Sequence, residues 1–241
     1  MKIVAIIQAR MGSTRLPGKI LKEVNGRPLL SYQLERLSLS KYINQIVIAT
    51  TIKEQDDIIE EFCINQTVPV YRGPESDVLA RYYEAALKFK SEIIVRITSD
   101  CPIIDSQVVD RTIQHFIEHD FDYVSNTVER TYPRGMDTEV FSFEALQKAY
   151  QESFLNRDRE HVTAYFYSNP EKFNIGSVRN ETDYSKYRWT VDTVEDFELI
   201  RLIIEKLYNE NPYFSMNEVI NLMEQNPNWY KMNAHIEQKK I

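Results

Sequence analysis

Strand-like and helix-like patterns alternate four times in the first 119 residues, and this rhythm restricts the fold more than any other feature of the chain. The β-branched run KIVAII (2–7) has the pattern of a strand buried on both faces. RPLLSYQLERLSLS (27–40) then spaces Leu30, Leu34 and Leu37 along one face of a helix. INQIVIATT (43–51) is strand-like and KEQDDIIEEFCINQ (53–66) amphipathic. VPVYRG (68–73) predicts a third strand, and SDVLARYYEAALKFK (76–90) a third helix with Ser76 or Asp77 near its N-cap. EIIVRITSD (92–100) and DSQVVDRTIQHFIEH (105–119) repeat the pair once more. Four such pairs predict right-handed crossovers and an α/β fold, with a mostly parallel sheet covered on both faces.

Beyond residue 120 the rhythm degrades. FDYVSNTVERTYPRGMDTEVFSF (121–143) has extended character broken by a Pro-Arg-Gly turn, and NRDREHVTAYFYSNPEKF (156–173) predicts a helix ending near Asn169-Pro170. NIGSVRN and YRWTVDT read as short strands, and VEDFELIRLIIEKLYNE (194–210) as a strong amphipathic helix. SMNEVINLMEQN (215–226) opens with Ser215 and Glu218 as a capping box. The organisation expected is one domain over 1–241, with an appended antiparallel and helical section at about 121–187.

Parallel sheets bind ligands outside the carboxyl ends of their strands. IIQARMGSTRLPGKIL (6–21) leaves the first strand there and gathers Arg10, Arg15 and Lys19 among turn residues. The formal net charge of the chain is −7. That balance argues against a general nucleic-acid surface but leaves room for a local basic site for a small polyanion. Gly, small hydroxyls and cations can wrap phosphates with backbone N–H groups. The stretch is not a P-loop, because five residues separate Gly12 from Gly18 and Ile20 stands where a magnesium-binding hydroxyl is needed. The dinucleotide fingerprint G-x-G-x-x-G is absent as well.

No run approaches a membrane span, and MKIVAIIQAR is too short an apolar stretch for a signal peptide. Cys63 and Cys101 suggest neither a disulfide framework nor a metal cluster. A cytoplasmic location is expected, with both cysteines as free thiols.

The opening motif resembles the N-terminal signature of the cytidylyltransferases that activate acidic sugars as CMP-sugars, the acylneuraminate and 3-deoxy-manno-octulosonate types. The likeness is greatest to the branch of spore coat polysaccharide biosynthesis protein F. Supporting stretches follow in order: ATT (49–51), VYRGPESDVLARYYEAA (70–86), VRITSDCPIID (95–105), YPRGMDTEVF (132–141), REHVT (159–163) and RWTVDTVEDFELI (188–200). The resemblance implies a three-layer, Rossmann-like nucleotidyltransferase fold, CTP as donor, magnesium, pyrophosphate release and a homodimer. Carried over by position, Arg10, Ser13, Arg15 and Lys19 bind the triphosphate, with Arg10, Lys19, Asp100 and Asp192 central to catalysis. Asp100 and Asp192 hold magnesium, while Ala49, Thr50 and Arg72 lie near the cytidine. Arg134, Asp137, Arg159 and His161 are candidates for the acceptor pocket.

The chemistry suits these residue types. Transfer of a nucleotidyl group joins two anions, so catalysis is mostly positioning and charge neutralisation. Arg grips phosphate oxygens in a fork and Lys acts as a point charge. Magnesium takes only one or two protein carboxylates, with water and phosphate as its other ligands. Asp100 and Asp192 each have a structural alternative as helix N-caps. Ser99-Asp100-Cys101-Pro102 replaces the Gly-Asp-Glu-Pro-like stretch of octulosonate enzymes, and Val194 stands where acylneuraminate enzymes carry a second acidic residue. The acceptor stays open between a nonulosonic acid, an octulosonic acid and another polysaccharide precursor. Two other readings compete. One is a glycosyltransferase of similar fold, for which Asp120 and Asp122 nearly mimic a D-x-D motif; the other is a non-catalytic nucleotide-binding subunit.

Overall fold

In a computed structural model describing residues 1–238, the alternation of the first half becomes four parallel strands with their helices. β1 (Ile3–Gln8) leads through a loop and a short 3-10 turn (Lys19–Leu21) to β2 (Glu23–Val24) and β3 (Arg27–Pro28), a small antiparallel hairpin. α1 (Leu29–Leu37), β4 (Gln45–Thr51), α2 (Asp57–Asn65), β5 (Val70–Gly73), α3 (Val78–Lys88), β6 (Ile93–Thr98) and α4 (Ser106–Glu118) follow. Of the two N-cap candidates for α3, Asp77 is the cap, accepting from Ala80 N–H, and Asp105 caps α4 by accepting from Gln107 N–H.

The second half adds β7 (Tyr123–Ser125), β8 (Glu139–Ser142), α5 (Phe143–Glu152), α6 (Asn156–Glu160), α7 (Ala164–Ser168) and β9 (Ile175–Ser177). α8 (Val194–Leu207), α9 (Met216–Gln225) and α10 (Pro227–Tyr230) follow. β7, β8 and β9 join the main sheet, whose order is β5-β4-β1-β6-β8-β7-β9. β8 runs antiparallel to both β6 and β7, and every other pairing in that sheet is parallel.

Side chains alternate across the sheet as the two-residue period requires. Ile3, Ala5 and Ile7 of β1 face one core, shared with α1, α2, α4, α8 and α9. Val4 and Ile6 face the other, with Leu79, Tyr82, Leu146 and Phe166 of α3, α5 and α7. The result is three layers. Cys63 and Cys101 are buried free thiols, and burial pushes the Cys63 thiol up to about 12. No described helix is long and apolar enough to cross a membrane.

Two expectations give way. The helix predicted over 156–173 breaks into α6 and α7 at His161–Thr163. The break lets the buried Thr163 hydroxyl donate to Glu139 at 2.7 Å. YRWTVDT forms no strand, only a bridge between Arg188 and Arg134, so Asp192 does not close one. Capping also resolves: Thr193 and Asp196 make the capping box of α8, which frees Asp192, and Ser215 and Glu218 make the expected box of α9.

The topology gathers one rim. β1, β4, β5 and β6 all end there, and β8, being antiparallel, begins there. The β7–β8 connection (126–138) and the segment leaving β9 (178–192) therefore meet the loop after β1 on the same edge of the sheet.

Candidate active site

The loop after β1 is folded onto itself by its backbone. Met11 O accepts from Ser13 N at 2.8 Å and from Gly18 N at 3.1 Å, while the Ser13 hydroxyl accepts from Leu16 N at 3.4 Å. Gly18 has φ +66°, a conformation that costs glycine nothing. Leu16 and Ile20 anchor the loop in the core. Buried Asp56 accepts Met11 N–H at 2.7 Å and the Thr51 hydroxyl, tying the loop to the end of β4.

This anchoring aims Lys19 and Arg15 at two carboxylates. Lys19 Nζ lies 3.1 Å from Asp100 Oδ2 and 2.7 Å from Asp192 Oδ1, and Arg15 Nη2 lies 2.9 Å from Asp192 Oδ2. Val191 N donates to Asp100 O at 2.8 Å, so the chain segments bearing the two aspartates are joined by backbone as well. Burial opposes charge on Asp100, but Lys19 and the Thr98 hydroxyl, 2.5 Å away, outweigh it and hold the carboxyl down to about 2. Burial also opposes charge on Lys19, and the facing carboxylates override it and raise its pKa.

Behind Asp192 stands Arg188, which sequence reasoning missed. Its Nη2 lies 2.7 Å from Asp192 Oδ2 and its Nε 2.9 Å from Asp196 Oδ1, with Asn233 donating to Asp196 at 2.8 Å. Arg188 and Asp192 precede α8 and Asp196 lies in its first turn, so the turn into the helix, not helical spacing, brings the three together. Arg130, also missed, grips Asp137 in a fork at 2.6 and 2.9 Å. Arg134 shares this end of the rim: burial, with Arg130 next, lowers its pKa, and it has no ion-pair partner among the described residues. Gly135 has φ +99°, and a Cβ there would meet the Trp189 carbonyl carbon and oxygen at 2.7 Å.

Other expected residues lie apart from this cluster. Arg10 is half exposed and faces Glu75 at 3.6 Å. The Arg72 guanidinium, expected beside a cytidine, is committed to Asp57, Glu60 and the carbonyls of Thr51 and Lys53, on the α2 side of β5. Ala49 and Thr50 are fully buried in β4, so their side chains do not reach the rim surface. Arg159 is tied to Asp77 and lies over the Tyr150 ring, which removes it from Arg134 and Asp137. His161 is partly buried at the break between α6 and α7. Asp120 and Asp122 sit at the opposite, amino-terminal edge, where the Asp122 carboxylate accepts from Asn174 N–H and the Asp120 main-chain carbonyl from the Asn174 side-chain amide, away from the rim cluster.

Among the described residues no three acidic, thiol or imidazole groups converge to hold a metal unaided. Asp100 and Asp192, both in contact with one ammonium, do fit an ion that takes two carboxylates and completes its shell with phosphate and water.

A parallel α/β sheet with a self-closed cationic loop and paired aspartates at its carboxyl rim defines a nucleotidyltransferase of the three-layer kind. The match of residues 4–241 to the cytidylyltransferase family model makes this chain a member of that family and a CTP-dependent nucleotidyltransferase. It is similar to a cytidylyltransferase structure from Leptospira borgpetersenii, at 38% identity and TM-score 0.91 over 100% of both chains. The spore coat polysaccharide biosynthesis protein SpsF of Bacillus subtilis is 36% identical over 93% of this chain and 95% of its own. A CMP:2-keto-3-deoxy-manno-octonic acid synthetase complexed with CTP shares the fold at TM-score 0.65 and 18% identity, over 86% of this chain and 99% of that one.

Proposed function

We propose that the protein transfers CMP from CTP to an acidic sugar, of nonulosonic or octulosonic type, for surface polysaccharide or glycan synthesis. A sugar hydroxyl oxygen forms the new bond to the α-phosphorus and gives up its proton to solvent as the bond to the bridging β-phosphate oxygen breaks, and pyrophosphate leaves. The observation that carries this reading is the Lys19 ammonium bridging Asp100 and Asp192 beside Arg15. Arg15 and Lys19 neutralise the triphosphate and the charge that grows on departing pyrophosphate. Lys19 leaves its two carboxylates for phosphate oxygens, and Arg188 keeps Asp192 in place as it does so. Magnesium, held by Asp100 and Asp192 when bound, supplies Lewis-acid polarisation of the α-phosphate.

An acidic acceptor needs a cation, and Arg134 and the Arg130–Asp137 pair supply charge and hydrogen-bonding groups on the neighbouring connection. The name of the Bacillus subtilis relative supports a polysaccharide setting, and a 3-deoxy-manno-octulosonate cytidylyltransferase of Hydrogenovibrio crunogenus, 31% identical over 51% of this chain, supports a sugar acid. Dependence on CTP, a nucleotide of the cell interior, supports a cytoplasmic location. Exposed Phe154 and Leu155 support a homodimer formed through the 121–187 section, to be checked by light scattering.

A nucleotide-by-sugar screen following pyrophosphate tests the reading. CTP with a sugar acid is expected to release pyrophosphate. Asp100→Ala and Asp192→Ala are each expected to lose about 10²–10³-fold in rate. Turnover of UDP-sugars without pyrophosphate would sink the proposal, and wild-type rates in both variants at saturating magnesium would remove the metal assignment.

A further inference from the structure

The chain after α10 folds back onto the segment that carries Asp192. Met232 N donates to Trp229 O at 3.1 Å and Ile236 N to Asn233 O at 3.0 Å, so the main chain closes these turns by itself. Trp229 and Met232 pack against the core, and the Tyr230 ring meets the Tyr187 ring edge-on at 5.9 Å. Tyr187 stacks on Trp189 at 5.6 Å. The segment is therefore pinned, through apolar contact, to the two residues that flank Arg188.

This packing delivers the side chain of Asn233, 2% exposed, to the back of the Arg188–Asp192 contact. Its amide nitrogen donates to Arg188 O at 2.9 Å and to Asp196 Oδ1 at 2.8 Å. The same Asp196 oxygen accepts from Arg188 Nε at 2.9 Å, and Asp196 Oδ2 accepts from Asp192 N at 3.0 Å. From further along the segment, Gln238 Oε1 accepts from Arg188 Nη1 at 2.6 Å. Both hydrogens of the Asn233 amide are thus given to groups that hold Asp192, and neither to the turn in which Asn233 lies. Among uncharged side chains only an amide puts two hydrogens on one nitrogen.

We propose, resting on Asp192 as a metal ligand, that Asn233 is a positioning residue of the metal site. In the free protein Lys19 and Arg15 hold the Asp192 carboxylate from the ligand side. Once those cations turn to phosphate, the Arg188 guanidinium and the Asp196 bond to Asp192 N are the contacts that keep its direction. Asn233 steadies both, from 45 residues beyond Arg188. Partners that orient a ligating group in this way help to set how tightly the metal binds. The C-terminal segment is accordingly a working part of the site, although no residue of it meets a substrate.

Manganese titration of the nucleotide-free protein, followed by electron paramagnetic resonance, tests this in the wild type, Asn233→Ser, Asn233→Asp and Asp192→Ala. Thermal midpoints are recorded for each. Asn233→Ser keeps one donor on a shorter side chain and is expected to bind manganese about threefold more weakly. Asn233→Asp sets a second carboxylate against Asp196 and is expected to lose about 10–100-fold. A merely structural role would lower the midpoints and leave the affinity alone. Wild-type manganese affinity in either folded variant would therefore overturn the assignment. If Asn233→Asp does not fold, Asn233→Ser alone decides. Wild-type affinity in Asp192→Ala would instead sink the metal reading itself, and the Asn233 role with it.

Discussion

Lys19 Nζ stands 2.7 Å from Asp192 Oδ1 and 3.1 Å from Asp100 Oδ2, so one ammonium joins the loop after β1 to chain segments 173 and 81 residues away. A single positive charge here occupies the place between two carboxylates that a divalent ion would share. Lys19 and a divalent ion bound at the proposed site would thus compete for the same pair of oxygens.

Lys19→Gln is therefore expected to bind a divalent ion more tightly in the absence of nucleotide. Manganese titration followed by electron paramagnetic resonance is expected to show about a tenfold gain, the scale of one partly exposed charge contact. The same variant should lose transfer activity, because the charge proposed to meet the phosphates is gone. Unchanged manganese affinity would show that the lysine does not guard the carboxylates.

The pH dependence of stability follows from opposite shifts. The Asp100 carboxyl falls from an ordinary 3.8 to about 2, so the stability it contributes is complete above about pH 4 and is lost as pH falls toward 2. The Lys19 pKa is raised above 10.5, so its contribution is complete below that value and is lost only as pH rises through the folded-state pKa. Urea midpoints between pH 5 and 2 are expected to fall less steeply in Asp100→Asn than in the wild type. Parallel slopes would contradict the assignment.

Arg188 is 6% exposed and is the shared partner of Asp192 and Asp196. Arg188→Met is expected to cost about 3–5 kcal/mol, because it leaves buried Asp196 without its cation and Asp192 with only Lys19 and Arg15. Urea denaturation measures the loss. A change under 1 kcal/mol would mean that the two aspartates find other partners.

Gly135→Ala is expected to destabilise by about 1–3 kcal/mol, since φ +99° is strained for any side chain. Its Cβ would also press on the Trp189 carbonyl, displacing the segment that carries Asp192. Activity should fall in step with stability. Full activity in Gly135→Ala would show that the segment is positioned from elsewhere.

The strand–helix alternation was legible because a buried parallel strand and an amphipathic helix leave different periods in the sequence. The convergence of Lys19, Asp100 and Asp192 was legible only as a resemblance, since nothing local joins residues so far apart. The grouping of Arg188, Asp192 and Asp196 was hidden, because the aromatic and β-branched Trp189-Thr190-Val191 run read as a strand. In the fold that run forms no strand, and the bridge to Arg134 is made by Arg188 before it. The engagement of Arg72 was hidden as well, because only the fold shows Asp57 and Glu60 of α2 beside it. The split of the 156–173 helix was hidden for a similar reason: the pull on Thr163 comes from Glu139, on another strand.

The connection bearing Arg130, Arg134 and Asp137 is fastened to the segment before Asp192 by main-chain bonds, Arg134 N to Tyr187 O and Trp189 N to Arg134 O. Such a joint is indifferent to the side chains at 130, 134 and 137, provided that Gly135 stays small. The proposed catalytic framework and the surface proposed to meet the acceptor would thus be mechanically linked but chemically independent. One scaffold of this design can accommodate new acceptors by exchanging a few side chains, without disturbing the grip on the nucleotide.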